Sequence, residues 1–272
     1  MNAREQLITF ITIVIKEFTR FMRIWQQTLL PPVITTCLYF IIFGNLIGPR
    51  IGQMDGFNYI DFIVPGLILM SVITNSYSNV VTSFFGAKFQ RSLEEMLVSP
   101  TPNYVILLGY ITGGVARGII VGLIVTIVSL FFSDLRIHSV GVLISVVVLT
   151  AVLFSLGGFT NGVFARSFDD VSIVPTFILT PLTYLGGIFY SIHLLPDFWQ
   201  GISLGNPILY MINAFRFGFL GISDISLWLS YLIIGIFILV LFAINLIFLG
   251  RGHGIRHLGV VSSLILNMAI ET

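Results

Sequence analysis

Apolar runs dominate this chain, and six of them are long enough to cross about 30 Å of hydrocarbon. They fall at roughly 25–47, 59–85, 104–132, 139–165, 172–190 and 226–249. Ahead of the first, Leu7, Phe10, Ile11, Val14, Phe18 and Phe21 recur close to helical spacing. Arg4, Glu5, Lys16, Glu17, Arg20 and Arg23 interrupt any clean apolar core there. Residues 3–24 therefore predict an amphipathic helix lying in the membrane interface, with its cations on the headgroups, rather than a signal peptide. A further span would carry Lys16 and Glu17 into lipid at a cost of several kcal/mol. Trp25 marks the interface where the first span begins.

Six crossings put both ends of the bundle on one side, and the cations choose the side. Arg4, Lys16, Arg20, Arg23, Lys88, Arg91, Arg166, Arg251 and Arg256 share one face of this topology, against Arg50 and Arg136 in the opposite short loops. The positive-inside rule makes both termini cytoplasmic. Residues 1–256 read as one transmembrane domain. The run 258–270 is apolar but too short to span comfortably, and the tail 257–272 carries no assigned role.

Residues 89–100, between spans two and three, then face the cytoplasm. Phe89, Leu93, Met96 and Leu97 fall at i, i+4, i+7 and i+8, which predicts one apolar helix face. Arg91 and Glu95 are spaced to pair at i, i+4 beside Glu94, and Pro100 stops the helix. Two readings are open: a docking helix for a soluble partner, or a solvated loop on lipid headgroups.

Polar residues inside the spans fall in stripes. Span two carries Ser71, Thr74, Asn75, Ser78, Asn79 and Thr82, and span five carries Thr176, Thr180, Thr183 and Tyr184 between and beyond Pro175 and Pro181. Such stripes face other helices or a wet cavity, so they read either as a substrate pathway or as helix-to-helix hydrogen bonding. Gly109, Gly113, Gly114, Gly118 and Gly122 in span three predict close helix contact, as do Gly158 and Gly162 in span four. Arg117 lies about 20 Å along span three from Tyr104, too deep to snorkel casually, and needs a compensating partner. Asp61, near the outer end of span two, is one candidate.

Residues 191–222 are too interrupted by Pro196, Gly201, Gly205 and Pro207 to form one crossing. They are also too rich in apolar side chains, Phe198, Trp199, Tyr210 and Phe215 among them, for an exposed loop. Two short helices dipping into the outer leaflet and returning satisfy both facts. That makes Phe198, Trp199, Pro207, Tyr210 and Arg216 candidates for an outer gate.

Composition agrees with a polytopic membrane protein. Charged residues are 9% of the chain, hydrophobic ones 56%, and the mean hydropathy is +1.02, where soluble domains carry about 25% charge. A net charge of +1 gives no polyanion-binding patch and excludes nucleic acid as a partner. Cys37, the single cysteine, rules out an internal disulfide and reads as a small buried hydrophobe. The two lysines, Lys16 and Lys88, follow no glycine, so no Walker sequence exists. His138, His193, His253 and His257 are dispersed and form no HExxH, although His253 and His257 lie four apart; no metal site and no catalytic residue is assigned. Gly201-Ile202-Ser203-Leu204-Gly205 fits the GxSxG pattern, but a serine hydrolase needs a strand–turn–helix and a base partner there. Asp169-Asp170 most simply cap the helix that follows.

The order of parts resembles the ABC-2 type permeases of ATP-binding-cassette exporters over nearly the whole chain to about residue 256. The most specific pieces are Leu93-Glu94-Glu95-Met96-Leu97-Val98-Ser99-Pro100, then Pro196-Asp197-Phe198-Trp199-Gln200 with Asn206-Pro207-Ile208-Leu209-Tyr210 and Arg216. The stretch from Pro175 to Gly187 is similar to a YadH-type branch of bacterial inner-membrane permeases. The resemblance implies an all-α ABC-2 exporter fold: an interfacial helix, six spans and a re-entrant hairpin before the last. It implies that residues Phe89, Arg91, Leu93, Glu94, Glu95 and Leu97 belong to a coupling helix docking on a separate cytoplasmic ATPase subunit. Two copies of the chain would pair with two ATPase chains, which would hold the ATP and magnesium; this chain itself would need no cofactor. Two rival classes stay open, an ion-coupled secondary transporter and an intramembrane hydrolase using Ser203 with a histidine such as His193. Aromatic, weakly charged spans favour an amphipathic or lipid-like cargo.

Overall fold

The chain starts its first helix with a local hydrogen bond, Asn2 N–H donating to Glu5 Oε2 at 3.0 Å, and helix α1 runs Ala3–Arg23. The computed structural model describes residues 1–252. Helix α2 (Trp25–Tyr39) continues through a π-helical stretch (Phe40–Ile47) into α3 (Gly48–Ile51) as one rod, although Pro31 and Pro32 remove two amide donors from its interior. Strands β1 (Gln53–Met54) and β2 (Phe57–Asn58) pair antiparallel, Gln53 opposite Asn58 and Met54 opposite Phe57. Asp55 and Gly56 between them both take positive φ, as a type I′ turn requires. Then follow α4 (Tyr59–Phe89), α5 (Ser92–Val98), α6 (Asn103–Ser129) and α7 (Val140–Phe164).

Helix α8 (Phe168–Val174) is started by a capping box in which Asp170 Oδ2 accepts from the Arg166 and Ser167 amides at 2.8 and 3.1 Å. Those amide bonds hold the Asp170 carboxyl below the ordinary carboxylate range. A π turn (Pro175–Leu179) and α9 (Thr180–Leu185) continue it. A 3-10 turn (Ile192–Leu194), α10 (Asp197–Leu204), α11 (Pro207–Leu220) and α12 (Leu227–Arg251) complete the order. Among the described residues, five helices are long and apolar enough to cross a membrane: Trp25–Ile51, α4, α6, α7 and α12. The predicted fifth span, 172–190, is a shorter helical rod over 168–185 broken between Pro175 and Pro181, because two missing amide donors shift the backbone out of α register there. The predicted outer hairpin is two short helices, α10 and α11, joined at Gly205-Asn206. The tail 257–272 and the pair His253 and His257 lie outside the described residues.

Helix α4 is the hub. Its buried positions run from Phe62 to Phe85 on several faces, and it packs on α6, α7 and α11. Small residues set the spacing. A Cβ at Gly158 of α7 would come within 2.5 Å of the Tyr77 carbonyl oxygen, and one at Gly122 of α6 within 2.7 Å of Val72. The other glycine row of α6 receives α1: a Cβ on Gly109 would stand 2.5 Å from Ile13, and one on Gly113 would stand 2.6 Å from the Glu17 Cβ. So α1 runs beside the first half of α6, with Tyr104 Oη donating to Gln6 Oε1 at 2.6 Å near the shared starting end. Ile13, Glu17 and Phe21 face inward, while Leu7, Ile8, Ile11, Ile15 and Phe18 are exposed. Of the charges on α1, Arg4, Lys16 and Arg23 are exposed, while Glu17 is fully buried, a burial that the expectation of an interfacial helix with its cations on headgroups did not include. Cys37 is half-buried.

At the same end of the bundle, the buried Lys88 Nζ donates to the Val163 and Ala165 carbonyls, both at 2.8 Å, closing the C-terminus of α7. Leu93 of α5 joins Phe84, Leu107, Val163 and Leu249 in one apolar cluster.

Replacing Gly113 by Ala is expected to lower stability by about 1–3 kcal/mol, since the added methyl overlaps Glu17. Gly86→Ala, with nothing within 4 Å of the new Cβ, is expected to be neutral or to stabilise by up to about 1 kcal/mol. Thermal unfolding of the detergent-purified protein checks both; equal melting points for the two variants would mean that α1 is not seated in the glycine groove.

Candidate functional site

Below the level of α1 the bundle holds an unusual density of charge. Glu17 Oε1 accepts from Ser83 Oγ at 2.6 Å, and its Oε2 lies 3.3 Å from Arg20 Nη2. The same Arg20 nitrogen donates to the carbonyl and side-chain oxygens of Asn79 at 2.9 and 2.8 Å. Glycine at 113 lets the carboxylate come this close; one turn apart on α4, Ser83 donates to it and Asn79 accepts from its partner Arg20. A fully buried carboxylate is tolerable only with such charged and hydrogen-bonding partners around it.

Arg117 of α6 comes next. Its Nη2 donates to Asn75 Oδ1 at 3.0 Å, and Asn75 Nδ2 in turn donates to the Ser71 carbonyl at 3.0 Å. The expected pairing with Asp61 is not made: Asp61 sits in the first turn of α4, about 21 Å along the helix from Asn75. It accepts there from Ser133 Oγ and from Asn58 Nδ2 at 3.4 Å. Arg20 is near enough to repel the Arg117 charge. An arginine at the centre of a membrane helix costs about 2.5–3.5 kcal/mol on insertion scales, so its surroundings matter.

Those surroundings are a cleft of about 310 Å³ between α2 and α4. Its lining includes Pro31, Thr35, Thr36, Ser71, Ser78 and Arg117, with Leu67 and Met70 above and Tyr39 at its edge. Of the span-two stripe, Ser71, Thr74, Asn75 and Ser78 are in this wall. Asn79 is turned inward to Arg20, and Thr82 is exposed with its hydroxyl donating to the Ser78 carbonyl at 2.6 Å. The span-five set is not part of the lining. Thr176 and Thr180 are exposed, Thr180 donating to the Pro175 carbonyl at 2.9 Å, and Thr183 is buried, donating to the Leu179 carbonyl at 2.6 Å. Tyr184 alone reaches the cleft's edge, its hydroxyl 3.3 Å from that of Tyr39. Sequence reasoning missed the α2 wall. Its signal is the Pro31-Pro32 and Thr35-Thr36 interruption in an otherwise apolar span.

Residues 89–100 are not the single helix their spacing predicts. Helix α4 runs on to Phe89, the chain turns at Arg91 with φ +61°, and α5 begins at Ser92. Phe89 and Leu93 therefore lie on different helices. Phe89 is exposed against the Phe168 ring, 5.1 Å between centroids, whereas Leu93 is fully buried. With Arg91 outside the helix, no Arg91–Glu95 ion pair forms among the described residues. The exposed set is Phe89, Arg91, Glu94 and Glu95, and the two glutamates sit in the first turn of α5, where the helix dipole favours them. Leu97 belongs to α5.

The candidate outer-gate residues do not form one group. Phe198 and Trp199 are exposed on α10, edge to face at 5.5 Å. Pro207 opens α11, and the buried Tyr210 donates to the Leu204 carbonyl at 2.7 Å, tying α10 to α11. Arg216 sits in the core: it is fully buried, donates to the Gly187 carbonyl at 2.6 Å and stacks on Phe62 at 3.8 Å. Ser203 of the GxSxG sequence sits within a helix, and His193 is paired instead with Asp224 at 4.0 Å. The strand–turn–helix that a hydrolase needs is absent at that position.

A family model described as ABC-2 type transporter matches residues 9–220. Over 241 residues, 89% of this chain and 94% of the relative, the sequence is 62% identical to the inner membrane transport permease YadH of Escherichia coli strain K12. It is 24% identical over 215 residues, 79% of this chain and 83% of the relative, to nodulation protein J of Rhizobium leguminosarum bv. viciae. To nodulation protein J of Neorhizobium galegae it is 22% identical over 229 residues, 83% and 87% of the two chains.

Glu17→Gln is expected to destabilise the protein by about 1–3 kcal/mol, because Arg20 and Ser83 lose a charged acceptor. In a double-mutant cycle with Arg20→Gln, the pair is expected to show a coupling of about 0.5–3 kcal/mol by thermal unfolding. Strict additivity would mean that the two charges do not act as a unit.

Proposed function

The chain belongs to the ABC-2 type transporter family, and on that premise we propose that it is the membrane-spanning permease subunit of an ABC exporter. It works as a homodimer in the bacterial inner membrane, driven by a separate cytoplasmic ATPase subunit. ATP and magnesium are held by that subunit, since this sequence carries no phosphate-cradling loop of the Walker type. Both termini are cytoplasmic, the rod 168–185 serves as the fifth of six crossings, and α10 with α11 re-enters from the outer side.

The observation that carries this reading is how α5 is mounted. Its outer surface presents Glu94 and Glu95 to solvent, while Leu93 anchors its inner side in the bundle core. One turn before it, Lys88 is bonded to the end of α7. A displacement of α5 by a docked ATPase is therefore delivered to α4 and α7 together. Closure of the ATPase dimer on ATP shifts the spans only to the degree that it binds their two arrangements with different affinity. The cleft between α2 and α4 is the part of the pathway that this rocking opens and closes. One observation favours the ion-coupled alternative, the buried carboxylate of Glu17; its direct bond to Arg20 argues against its exchanging an ion during transport.

Glu94→Lys combined with Glu95→Lys is expected to abolish co-purification with the ATPase while leaving the permease inserted, and the Gln pair to weaken it. Retained ATPase binding by the lysine variant would remove the docking assignment. Transport by the purified chain alone in liposomes, on an ion gradient without nucleotide, would favour the ion-coupled reading instead.

A further inference from the structure

Three charges of the described residues meet around Asn75 and Asn79: the carboxylate of Glu17 and the guanidiniums of Arg20 and Arg117. Glu17 is bonded to Arg20 and faces away from the cleft, toward Ser83. Arg117 has a neutral partner, the Asn75 amide oxygen, and the ion pairs among the described residues are Arg20–Glu17 and His193–Asp224. One positive charge is left over, within the membrane, and it lines the cleft. A cation so placed is stabilised by an anion entering the cleft.

The cleft also states what that anion is attached to. The same lining holds the Ser78 hydroxyl, three residues along α4 from the Asn75 that Arg117 bonds, able to donate to a phosphate or carboxylate. Toward the other end of the cleft, one turn beyond Ser71, the Leu67 and Met70 side chains offer no polar group. A small free anion would leave those walls facing water. The neighbouring surface of α2 is apolar and exposed, with Ile34 and Leu38 more than half accessible, so the cleft can be entered sideways from lipid. Resting on the permease reading above, we propose that this cleft binds an anionic amphiphile, with Arg117 holding a phosphate- or carboxylate-bearing headgroup and the α2–α4 wall holding the start of its tail.

The test uses the purified full chain in neutral detergent, titrated with dioctanoyl phosphatidylglycerol and dioctanoyl phosphatidylcholine and read by native mass spectrometry. The wild type is expected to bind the anionic lipid about tenfold more tightly than the zwitterionic one of the same tail, equivalent to about 1.4 kcal/mol. Arg117→Gln is expected to bring the ratio close to one, and Arg117→Lys to keep part of it. Thr74→Trp, which fills the cleft without touching the cation, is expected to weaken both lipids and carries the test if Arg117→Gln does not fold. Inorganic phosphate at the same concentration is expected not to displace the lipid. Equal binding of the two lipids by the wild type, an unchanged preference in Arg117→Gln, or displacement by inorganic phosphate alone would each overturn the assignment. Co-purification of the ATPase from the same cells reports separately on the permease reading, so a wrong ligand class and a wrong function are told apart.

Discussion

Burying the Glu17 carboxylate is the act on which the inner half of this bundle depends. In hydrocarbon an ionised side chain must be met by an opposite charge and by donors at close range, and both must be in place together. Arg20 meets the charge from one turn farther along α1, Ser83 of α4 donates to the carboxylate, and Asn79 of α4 accepts from Arg20 and so holds it in place. For these groups to meet, α1 has to lie against the helix bundle, and glycine at 109 and 113 of α6 is what allows it. The polar face of α4, the glycine row of α6 and the charges of α1 are thus one device. The same requirement explains why α1 turns an apolar surface outward although it contains several charges: the charge that matters is on its inner side.

Two cations hold the ends of α4 in contrasting ways. Near its C-terminus, Lys88 satisfies the last carbonyls of α7, groups that a helix end otherwise leaves unpaired. Close to its N-terminal end, Arg216 stacks on Phe62 and closes on the Gly187 carbonyl, where a φ of +77° turns the chain after α9. Asn213, one turn earlier on α11, accepts from the Asp224 amide at 3.1 Å, and Asp224 accepts from Ser191 Oγ at 3.3 Å. Neither end of α4 is held by apolar contact alone, so its position is specified by directional bonds as well as by packing.

Much of this architecture was legible in the pattern of residues. Long apolar runs with polar breaks gave α4, α6, α7 and α12 to within a few residues, because span length is a physical requirement of the bilayer. Which face of each helix points where was much less legible. A helix apolar all round has no amphipathic stripe to orient it, so the pattern grouped Asn79 and Thr183 with residues such as Asn75 and Ser78, whereas only the latter two line the α2–α4 cleft. Arg117 found Asn75 and not Asp61 because helix depth, and not charge alone, selects partners. Residues 89–100 misled for a different reason: Arg91 leaves the helical region, and one residue with positive φ breaks any face drawn across it. Glu17 shows the converse. It was visible as a costly charge, but its burial depends on two glycines more than ninety residues away.

The least-held parts of the bundle are the two rods whose helices pass through a π-helical stretch. The rod Trp25–Ile51 carries three prolines and the rod 168–185 two, each has a π-helical stretch, and each exposes a broad apolar surface, with Ile34, Leu38 and Leu46 on one and Phe177 and Ile178 on the other. They meet each other through rings, Tyr39 and Phe43 against Phe189, and through the Tyr39–Tyr184 hydroxyl contact, with no charged group between them. Ring contacts of this kind slide at little energetic cost, whereas the charge-assisted bonds of Glu17, Lys88 and Arg216 fix distances to a few tenths of an ångström. The cleft at Arg117 has α4 for its rigid wall and α2 for its yielding one. Any change in its width is therefore carried by α2, and the energy of that change is set by aromatic packing and by lipid, because the polar network stays on the other side.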